Sequence, residues 1–249
     1  MSGVHRAAAV GFARSVEAYE RGRPDYPAAV IDYLVGLLPP EAAVLDLAAG
    51  TGKLTRPLLA AGLRAVAVEP VAEMRAALPP QARALDGTAE AIPLDDGSVD
   101  GVTVGQAFHW FDGDAALAEI ARVLRPGGLL ALIWNRRGEE DPVNAAIEAL
   151  VGPYRADTPS HRESPWRATF ERTTQFDSLR EEVFDNVLEQ DADGIEARVG
   201  SISFIAALDD AERASVLERA RAIAGPGLVT IPYRTEVHTC GRLGAKYRV

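Results

Sequence analysis

The sequence predicts an α/β fold in which helices cover a mostly parallel β-sheet. Two observations predict it. Short apolar runs alternate with helical stretches through the middle of the chain, and a glycine-bearing turn joins the first run to the helix that follows. This alternation is typical of βαβ units, whose strands run parallel. No internal repeat or low-complexity linker interrupts it, so the 249 residues predict a single domain.

Apolar runs bounded by glycine, proline or aspartate predict the strands. They lie at residues 42–47, 64–68, 82–86, 99–105, 129–134, 182–188 and 228–240. Helical spacing predicts helices at residues 52–61, 71–78, 114–124, 191–207 and 209–224. Pro232, inside the last run, predicts an edge or bulged position there because proline has no amide hydrogen to donate.

Composition limits the functions that the chain can have. The net charge of −10, from 26 basic and 36 acidic residues, argues against a nucleic acid and predicts a small-molecule substrate. No apolar run reaches the roughly 20 residues of a membrane span, and the N-terminus lacks a signal-peptide core, so we expect a cytoplasmic protein. The single cysteine allows no internal disulfide, and four scattered histidines predict no metal site. Nothing in the sequence indicates the oligomeric state.

The turn after the first strand carries most of the functional information. Gly50 and Gly52 allow a tight turn and close approach of a ligand, at the strand end where α/β sheets bind ligands. The dinucleotide pattern of three small residues would place Thr55 at its third position. Asp46, just before the turn, is a poor neighbour for a pyrophosphate and a good one for an ammonium group. S-adenosylmethionine has an ammonium, a sulfonium and no phosphate, so the charges favour it over NAD.

Glu69 predicts a nucleoside site in either case. It ends the second strand, 19 residues after Gly50, where an acid typically accepts hydrogen bonds from ribose hydroxyls. The alternative is that Glu69 only caps the helix that contains Met74.

Five segments, in order, then resemble a known family. They are residues 46–52 (DLAAGTG), 68–70 (VEP), 87–93 (GTAEAIP), 106–111 (QAFHWF) and 124–128 (LRPGG). Together they resemble class I S-adenosylmethionine-dependent methyltransferases, and within that class the small-molecule branch described as methyltransferase type 11, which includes trans-aconitate methyltransferase-like proteins. The resemblance covers about residues 19–137 and the C-terminal third only loosely.

The resemblance implies a Rossmann-like, doubly wound, mostly parallel seven-stranded sheet with an antiparallel late strand. It also implies four parts of one domain: an N-terminal helical lid (1–40), a cofactor-binding core (41–137), a cap insertion (138–180) and C-terminal elements that complete the sheet (181–249).

The resemblance also implies a cofactor-binding set for S-adenosylmethionine. The methionine and ribose portions would contact the turn and the lid, with Arg23 able to pair with the methionine carboxylate. The adenine would lie between residues after the second and third strands, and the sulfonium beside the end of the fourth. The implied residues are Tyr19, Arg23, Asp46, Ala48, Ala49, Gly50, Thr51, Gly52, Glu69, Pro70, Met74, Thr88, Ala89, Gln106 and Ala107.

Two positions depart from the family pattern. Ala48 stands where the family usually has glycine, so its methyl group could narrow the pocket. Thr88 stands where many relatives have an acid that accepts the adenine amino group, and the neighbouring Asp86 is a possible substitute.

The segment after the fourth strand is the expected acceptor side. His109 is the candidate general base, because an imidazole titrates near neutral pH. The alternative is that the imidazole has a structural role and hydrogen-bonds to the backbone. Phe108, His109, Trp110 and Trp134 are expected to line the acceptor pocket. A base is needed for a hydroxyl, thiol or carbon acid, but not for a carboxylate, which is already ionised.

The predicted function is methyl transfer from S-adenosylmethionine to an oxygen, nitrogen or carboxyl group of a small molecule. Two alternatives stay open: an NAD-dependent oxidoreductase of similar fold, and a non-catalytic methyltransferase-like binding protein.

Overall fold

The structure, a computed structural model, describes residues 16–138, 140–155 and 165–244. The strands are β1 (Ala43–Leu47), β2 (Arg64–Val68), β3 (Arg83–Leu85), β4 (Val99–Gly105), β5 (Leu124–Arg137), β6 (Arg180–Gln190) and β7 (Val229–Gly241). The helices are α1 (Val16–Gly22), α2 (Ala28–Leu37), α3 (Thr55–Ala60), α4 (Ala72–Ala76), α5 (Gly113–Val123), α6 (Pro142–Val151), α7 (Trp166–Arg172), α8 (Ala192–Gly200), α9 (Ser203–Ala206) and α10 (Asp210–Ala224). Short 3-10 turns lie at Phe108–Trp110 and Gly152–Tyr154.

The seven strands form one sheet in the order β3-β2-β1-β4-β5-β7-β6. The pairs from β3 to β5 are parallel, and β7 runs antiparallel to both of its neighbours. The expected α/β fold, with a mostly parallel seven-stranded sheet and an antiparallel late strand, is therefore confirmed. The order reverses between β1 and β4, which is the crevice where open α/β sheets bind ligands.

Strand β5 is longer than the sequence predicts. The segment 125–128, which the sequence places between the predicted helix 114–124 and the predicted strand 129–134, is a bulge inside the strand, with Gly127 at φ 80°. Beyond Ile133, which pairs with Gly105, β5 continues past the end of β4 and pairs with β7 alone. This overhang forms a wall above the carboxyl ends of the parallel strands.

Alternation along β5 sends its residues to two different faces. Leu130, Leu132 and Trp134 pack in one apolar core, on the side of α5, whereas Ala131 and Ile133 pack in a second, on the side of α2. Successive strand residues point to opposite faces, so Asn135 and Arg137 continue the second set. This alternation determines which side chains of β5 can reach the site.

Pro232 does not mark an edge strand, because β7 lies between β5 and β6. Its carbonyl oxygen accepts from the amide of Gly138, just past the last β5–β7 pair at Arg137 and Tyr233. Gly138 lies opposite Pro232, which has no amide hydrogen to return that hydrogen bond, and the Gly138 carbonyl oxygen accepts from the Asn144 side-chain amide at 3.1 Å instead.

The N-terminal helix α1 packs against α8. The closest approach is at Gly22, which is buried against the backbone of Arg198. Parts of the expected lid (1–15) and cap insertion (139 and 156–164) lie outside the described residues, so those domain boundaries stay predictions. Within the described ranges, none of the helices has both the length and the apolar character needed to cross a membrane.

Candidate active site

A cavity of about 360 Å³ opens at the carboxyl ends of β1, β2, β4 and β5. Thirteen of the sequence-predicted residues lie on its wall: Tyr19, Arg23, Ala48, Gly50, Glu69, Pro70, Met74, Thr88, Ala89, Gln106, Ala107, His109 and Trp110. They come from the N-terminal segment, the glycine turn and the ends of β2, β3 and β4. Elements far apart in sequence thus meet at one site.

Four other predicted residues lie behind this wall. Asp46, Thr51 and Gly52 are buried, and Ala49 packs in a small apolar cluster. A Cβ on Gly52 would lie only 2.8 Å from the Pro79 ring, so this glycine is needed for packing of the turn. These residues shape the site from beneath.

The prediction that Phe108 and Trp134 line the pocket is wrong, because neither residue lies on the cavity wall. Both are about 1% exposed and belong to the same apolar core, where the ring centroid of Trp166 lies 4.7 Å from that of Trp134 and 6.4 Å from that of Phe108. The alternation of β5 points Trp134 away from the cavity, and the 3-10 turn buries Phe108 while its two neighbours stay on the wall.

The backbone of the glycine turn is held by its own hydrogen bonds. Ala49 N–H donates to Val68 O (3.1 Å), Gly52 N–H to Ala49 O (2.9 Å), and Gly50 N–H to Glu69 Oε2 (2.9 Å). Three amides that could otherwise face a ligand are therefore occupied by the protein.

Glu69 connects the turn to the next helix. Its Oε2 accepts from Gly50 N–H, and its Oε1 accepts from Val71 N–H at 2.9 Å. Burial raises the pKa of Glu69, and these backbone hydrogen bonds oppose that rise. Glu69 is not the N-cap of the helix that contains Met74, because Val71 takes that position, and Glu69 also lies on the cavity wall. A carboxylate has about four acceptor positions, so two remain for a ligand.

Asp46 is buried beneath the turn. Its Oδ2 accepts from the Thr55 hydroxyl at 2.5 Å, and its Oδ1 accepts from the Thr103 hydroxyl at 3.4 Å. Burial raises its pKa to about 7, against the opposing effect of these two hydrogen bonds. Nearby positive charge would favour the ionised form.

Ala48 and Gln106 have left-handed backbones on the cavity wall, with φ of 56° and 61°. Such conformations are strained for residues other than glycine and concentrate at functional sites. A glycine at position 48 would adopt this conformation without the strain.

We expect Ala48→Gly to raise the free energy of unfolding by about 0.5–1 kcal/mol, because glycine adopts φ near 56° without a steric penalty. Urea unfolding checks the change. Ala49→Gly is the matched control: Ala49 is not in the left-handed region, so glycine there only adds unfolded-state entropy and should destabilise. A destabilised Ala48→Gly would contradict this account of the turn.

His109 lies on the wall beside Trp110, with ring centroids 5.2 Å apart. Its backbone belongs to the 3-10 turn after β4, beside Gln106 and Ala107. The imidazole therefore faces the side of the cavity next to the end of β4. Whether it acts as a base stays a prediction.

Sequence reasoning missed several wall residues. Tyr26 packs over Gly105 so closely that a Cβ there would lie 2.4 Å from the phenol oxygen. The missed residues also include Asn135, Arg137, Arg155, Ser203, Phe204 and Tyr233. Tyr26 follows Arg23 by three residues and could have been found from that proximity. The rest come from β5 and β7 and from α6 and α9 or the segments beside them, which only tertiary structure brings together.

Comparison with known proteins identifies the central part of the chain. Residues 45–132 match the family model described as a methyltransferase domain. This segment contains the glycine turn, Glu69 and the end of β4. This part of the chain is therefore similar to a methyltransferase domain.

The chain is similar to a protein of Mycobacterium tuberculosis described as an uncharacterized methyltransferase. It is 58% identical over 140 residues, which are 54% of this chain and 56% of the relative. The matched region is thus about half the length of that relative. The trans-aconitate branch finds no support among these matches.

Solved structures described as methyltransferases share the fold of this chain. A candidate type II methyltransferase from Anaeromyxobacter dehalogenans has a TM-score of 0.66 at 25% identity, covering 88% of this chain and 97% of that one. An N-methyltransferase from Haemonchus contortus, solved with phosphomonomethylethanolamine and S-adenosylhomocysteine, has a TM-score of 0.55 at 14% identity, covering 93% and 58%. The second likeness shows the fold alone.

Proposed function

We propose that the cavity binds S-adenosylmethionine and that the chain transfers its methyl group to a small-molecule acceptor. The observation that carries this proposal is the arrangement of Glu69 and the glycine turn. The carboxylate of Glu69 lies on the cavity wall, and it occupies the Gly50 amide that a dinucleotide site would offer to a pyrophosphate.

The donors and acceptors fit a cationic nucleoside better than a diphosphate. Three turn amides are already used within the protein, and two carboxylates, Asp46 and Glu69, lie in or beneath the turn. A diphosphate would meet negative charge with few donors, whereas an ammonium group and ribose hydroxyls would meet acceptors. This argues against the NAD-dependent alternative.

Other residues of the cavity suit the remaining parts of the molecule. Pro70, Val71 and Met74 give an apolar wall next to Glu69, suited to an adenine ring. Arg23 is close to Tyr19 on the wall, and its guanidinium is suited to the methionine carboxylate. An S-adenosylhomocysteine-bound structure of similar fold supports the same cofactor.

When bound, S-adenosylmethionine supplies a methyl group whose bond to sulfur breaks, with its electron pair going to sulfur, as the acceptor's bond to carbon forms. The residues of this chain then need only align the acceptor and exclude water. For a neutral hydroxyl or thiol acceptor, an imidazole nitrogen of His109 would take the proton. For an ionised acceptor, His109 would only line the pocket.

The experiment that tests the proposal measures S-adenosylhomocysteine release with a panel of small-molecule acids, alcohols and amines. We expect release that depends on the acceptor. Failure to bind S-adenosylmethionine would overturn the proposal, and binding without turnover on any acceptor would favour the non-catalytic alternative.

Asp46 gives a pH-dependent prediction. Its pKa is about 7 in the folded chain against about 3.9 unfolded, so the stabilisation present below pH 4 is lost as the pH rises to 7. Asp46→Asn has no such titration. We therefore expect its free energy of unfolding, relative to wild type, to increase by on the order of 2 kcal/mol between pH 5 and pH 8.

Urea unfolding of both proteins at several pH values checks this, because the difference between them isolates Asp46 from other titrating groups. Binding gives a second readout. An ammonium group near Asp46 favours its charged form, so S-adenosylmethionine should bind wild type more tightly as the pH rises through 7. A parallel pH dependence in wild type and Asp46→Asn would contradict both expectations.

A further inference from the structure

The part of the cavity beyond the end of β4 is lined by arginines. Arg137 ends the β5 overhang, and Arg155 follows the 3-10 turn after α6. Arg198, only 1% exposed, lies behind them with its guanidinium 5.3 Å from the ring centroid of Tyr233. Because the chain as a whole has a net charge of −10, this concentration of positive charge is local.

Fewer carboxylates than guanidinium groups lie in this region among the described residues. Glu148 on α6 pairs with Arg137 and Arg155, and Asp141 caps the start of α6 by accepting from Asn144 N–H. The fourth arginine, Arg23, donates to the hydroxyl and carbonyl oxygens of Ser201, which are uncharged. Because the proposed function assigns Arg23 to the methionine carboxylate, three guanidinium groups, those of Arg137, Arg155 and Arg198, remain to face these two carboxylates among the described residues of this region.

Burying more guanidinium groups than carboxylates is energetically unfavourable when no ligand is bound. Burial lowers the pKa of Arg137, and it lowers that of Arg198 to about 10, with the neighbouring guanidinium groups adding to the effect. Arg198 uses one terminal nitrogen to donate to the side-chain oxygen of Asn144, while its Nη1 has no hydrogen-bond partner among the described residues. An anion in this part of the cavity would relieve that cost.

We propose that the methyl acceptor carries a carboxylate that Arg137 and Arg155 bind. This inference rests on the proposed function and adds the chemical class of the acceptor. Glu148 shows the geometry that the pair accommodates: its Oε2 lies 3.4 Å from Arg137 Nη1, and its Oε1 contacts Arg155. Two guanidinium groups thus already share the two oxygens of one carboxylate, and Glu148, half exposed, is the group that an acceptor would displace or join.

The position of the pair implies that this carboxylate anchors the acceptor. Ile133 pairs with Gly105 at the end of β4, and Arg137 lies four residues further along β5. At about 3.3 Å per residue, the Cα of Arg137 is about 13 Å along the strand from the Cα of Ile133. The anchoring carboxylate is therefore separate from the atom that receives the methyl group.

Calorimetric titration of the protein saturated with S-adenosylhomocysteine tests the inference. The probes are malonate, succinate and glutarate, the corresponding neutral diamides, and inorganic phosphate. We expect at least one dicarboxylate to bind about tenfold or more tightly than its diamide, and Arg137→Gln and Arg155→Gln each to weaken that binding about tenfold.

Two further variants keep the result interpretable. Glu148→Gln removes the competing carboxylate and should tighten dicarboxylate binding about three- to tenfold, an effect that a damaged fold would not produce. Arg172→Gln is the matched control, because Arg172 is exposed, pairs with Asp114 and lies outside the cavity; it should bind like wild type.

The outcomes separate the two proposals. If S-adenosylhomocysteine binds but no dicarboxylate does, or if Arg137→Gln and Arg155→Gln bind dicarboxylates as wild type does, the inference is overturned and the proposed function stands. Tighter binding of phosphate than of any dicarboxylate would also overturn it. If S-adenosylhomocysteine itself does not bind, the proposed function fails and the inference fails with it.

Discussion

Replacing Glu69 with alanine is expected to weaken S-adenosylmethionine binding about 100-fold, or about 2.7 kcal/mol. The variant loses the carboxylate that the proposed function assigns to the ribose hydroxyls, and it leaves Gly50 N–H and Val71 N–H without their partner. Glu69→Gln should also bind poorly, because one of its two terminal positions becomes an N–H₂ group that faces a backbone N–H. Isothermal titration with S-adenosylmethionine measures both variants.

Glu73→Ala is the control for this experiment. Glu73 is exposed on the adjacent helix α4 and outside the cavity, so its removal changes the net charge equally without changing the site. Its affinity should equal that of wild type. If Glu69→Ala bound S-adenosylmethionine within about threefold of wild type, the assignment of Glu69 to the ribose would be wrong.

Replacing Gly22 with alanine is expected to lower the free energy of unfolding by about 3 kcal/mol. A Cβ at this position would lie 2.3–2.4 Å from the backbone N and Cα of Arg198, and neither backbone can move cheaply. The strain should separate α1 from α8 and break the contact of Arg23 with Ser201. Since Tyr19 and Arg23 line the cavity, S-adenosylmethionine binding should weaken about tenfold as well.

Gly36→Ala is the matched control, because a Cβ at Gly36 meets no atom within 4 Å and the residue lies inside helix α2. It should be unchanged or up to about 1 kcal/mol more stable. Thermal unfolding followed by circular dichroism, with titration of the same samples, measures both properties. A Gly22→Ala protein as stable as wild type would show that α1 does not pack against α8 as described.

The fold could be predicted from the sequence because its signals are local. Each strand up to β4 is an apolar run with glycine, proline or aspartate close to its ends, and α5 carries Leu117 and Ile120 on one buried face. The predictions are wrong where strand pairing between residues distant in the sequence outweighs the local preference for a turn. The sequence predicted that the strand begins at Leu129, after Gly127 and Gly128. In the structure β5 continues through these glycines as a bulge, because it pairs with β4 on both sides of them, at Leu124 and at Leu129.

The wall of the cavity around the glycine turn was predictable for the same reason. The glycine turn and Glu69 each follow directly from the end of a strand. The wall beyond β4 was not predictable, because Arg137 and Tyr233 are 96 residues apart and meet only where β5 pairs with β7. Trp134 was expected in the pocket for its residue type, but the alternation of β5 sends it to the core and sends Asn135 and Arg137 to the cavity.

The proposed function requires the glycine turn to bind a cationic nucleoside rather than a dinucleotide. Side-by-side titration of the wild-type chain with S-adenosylmethionine and NAD tests it directly. We expect one S-adenosylmethionine to bind per chain with micromolar affinity and NAD to bind at least about 100-fold more weakly, since Glu69 occupies the Gly50 amide. Binding of NAD as tight as that of S-adenosylmethionine would contradict the account.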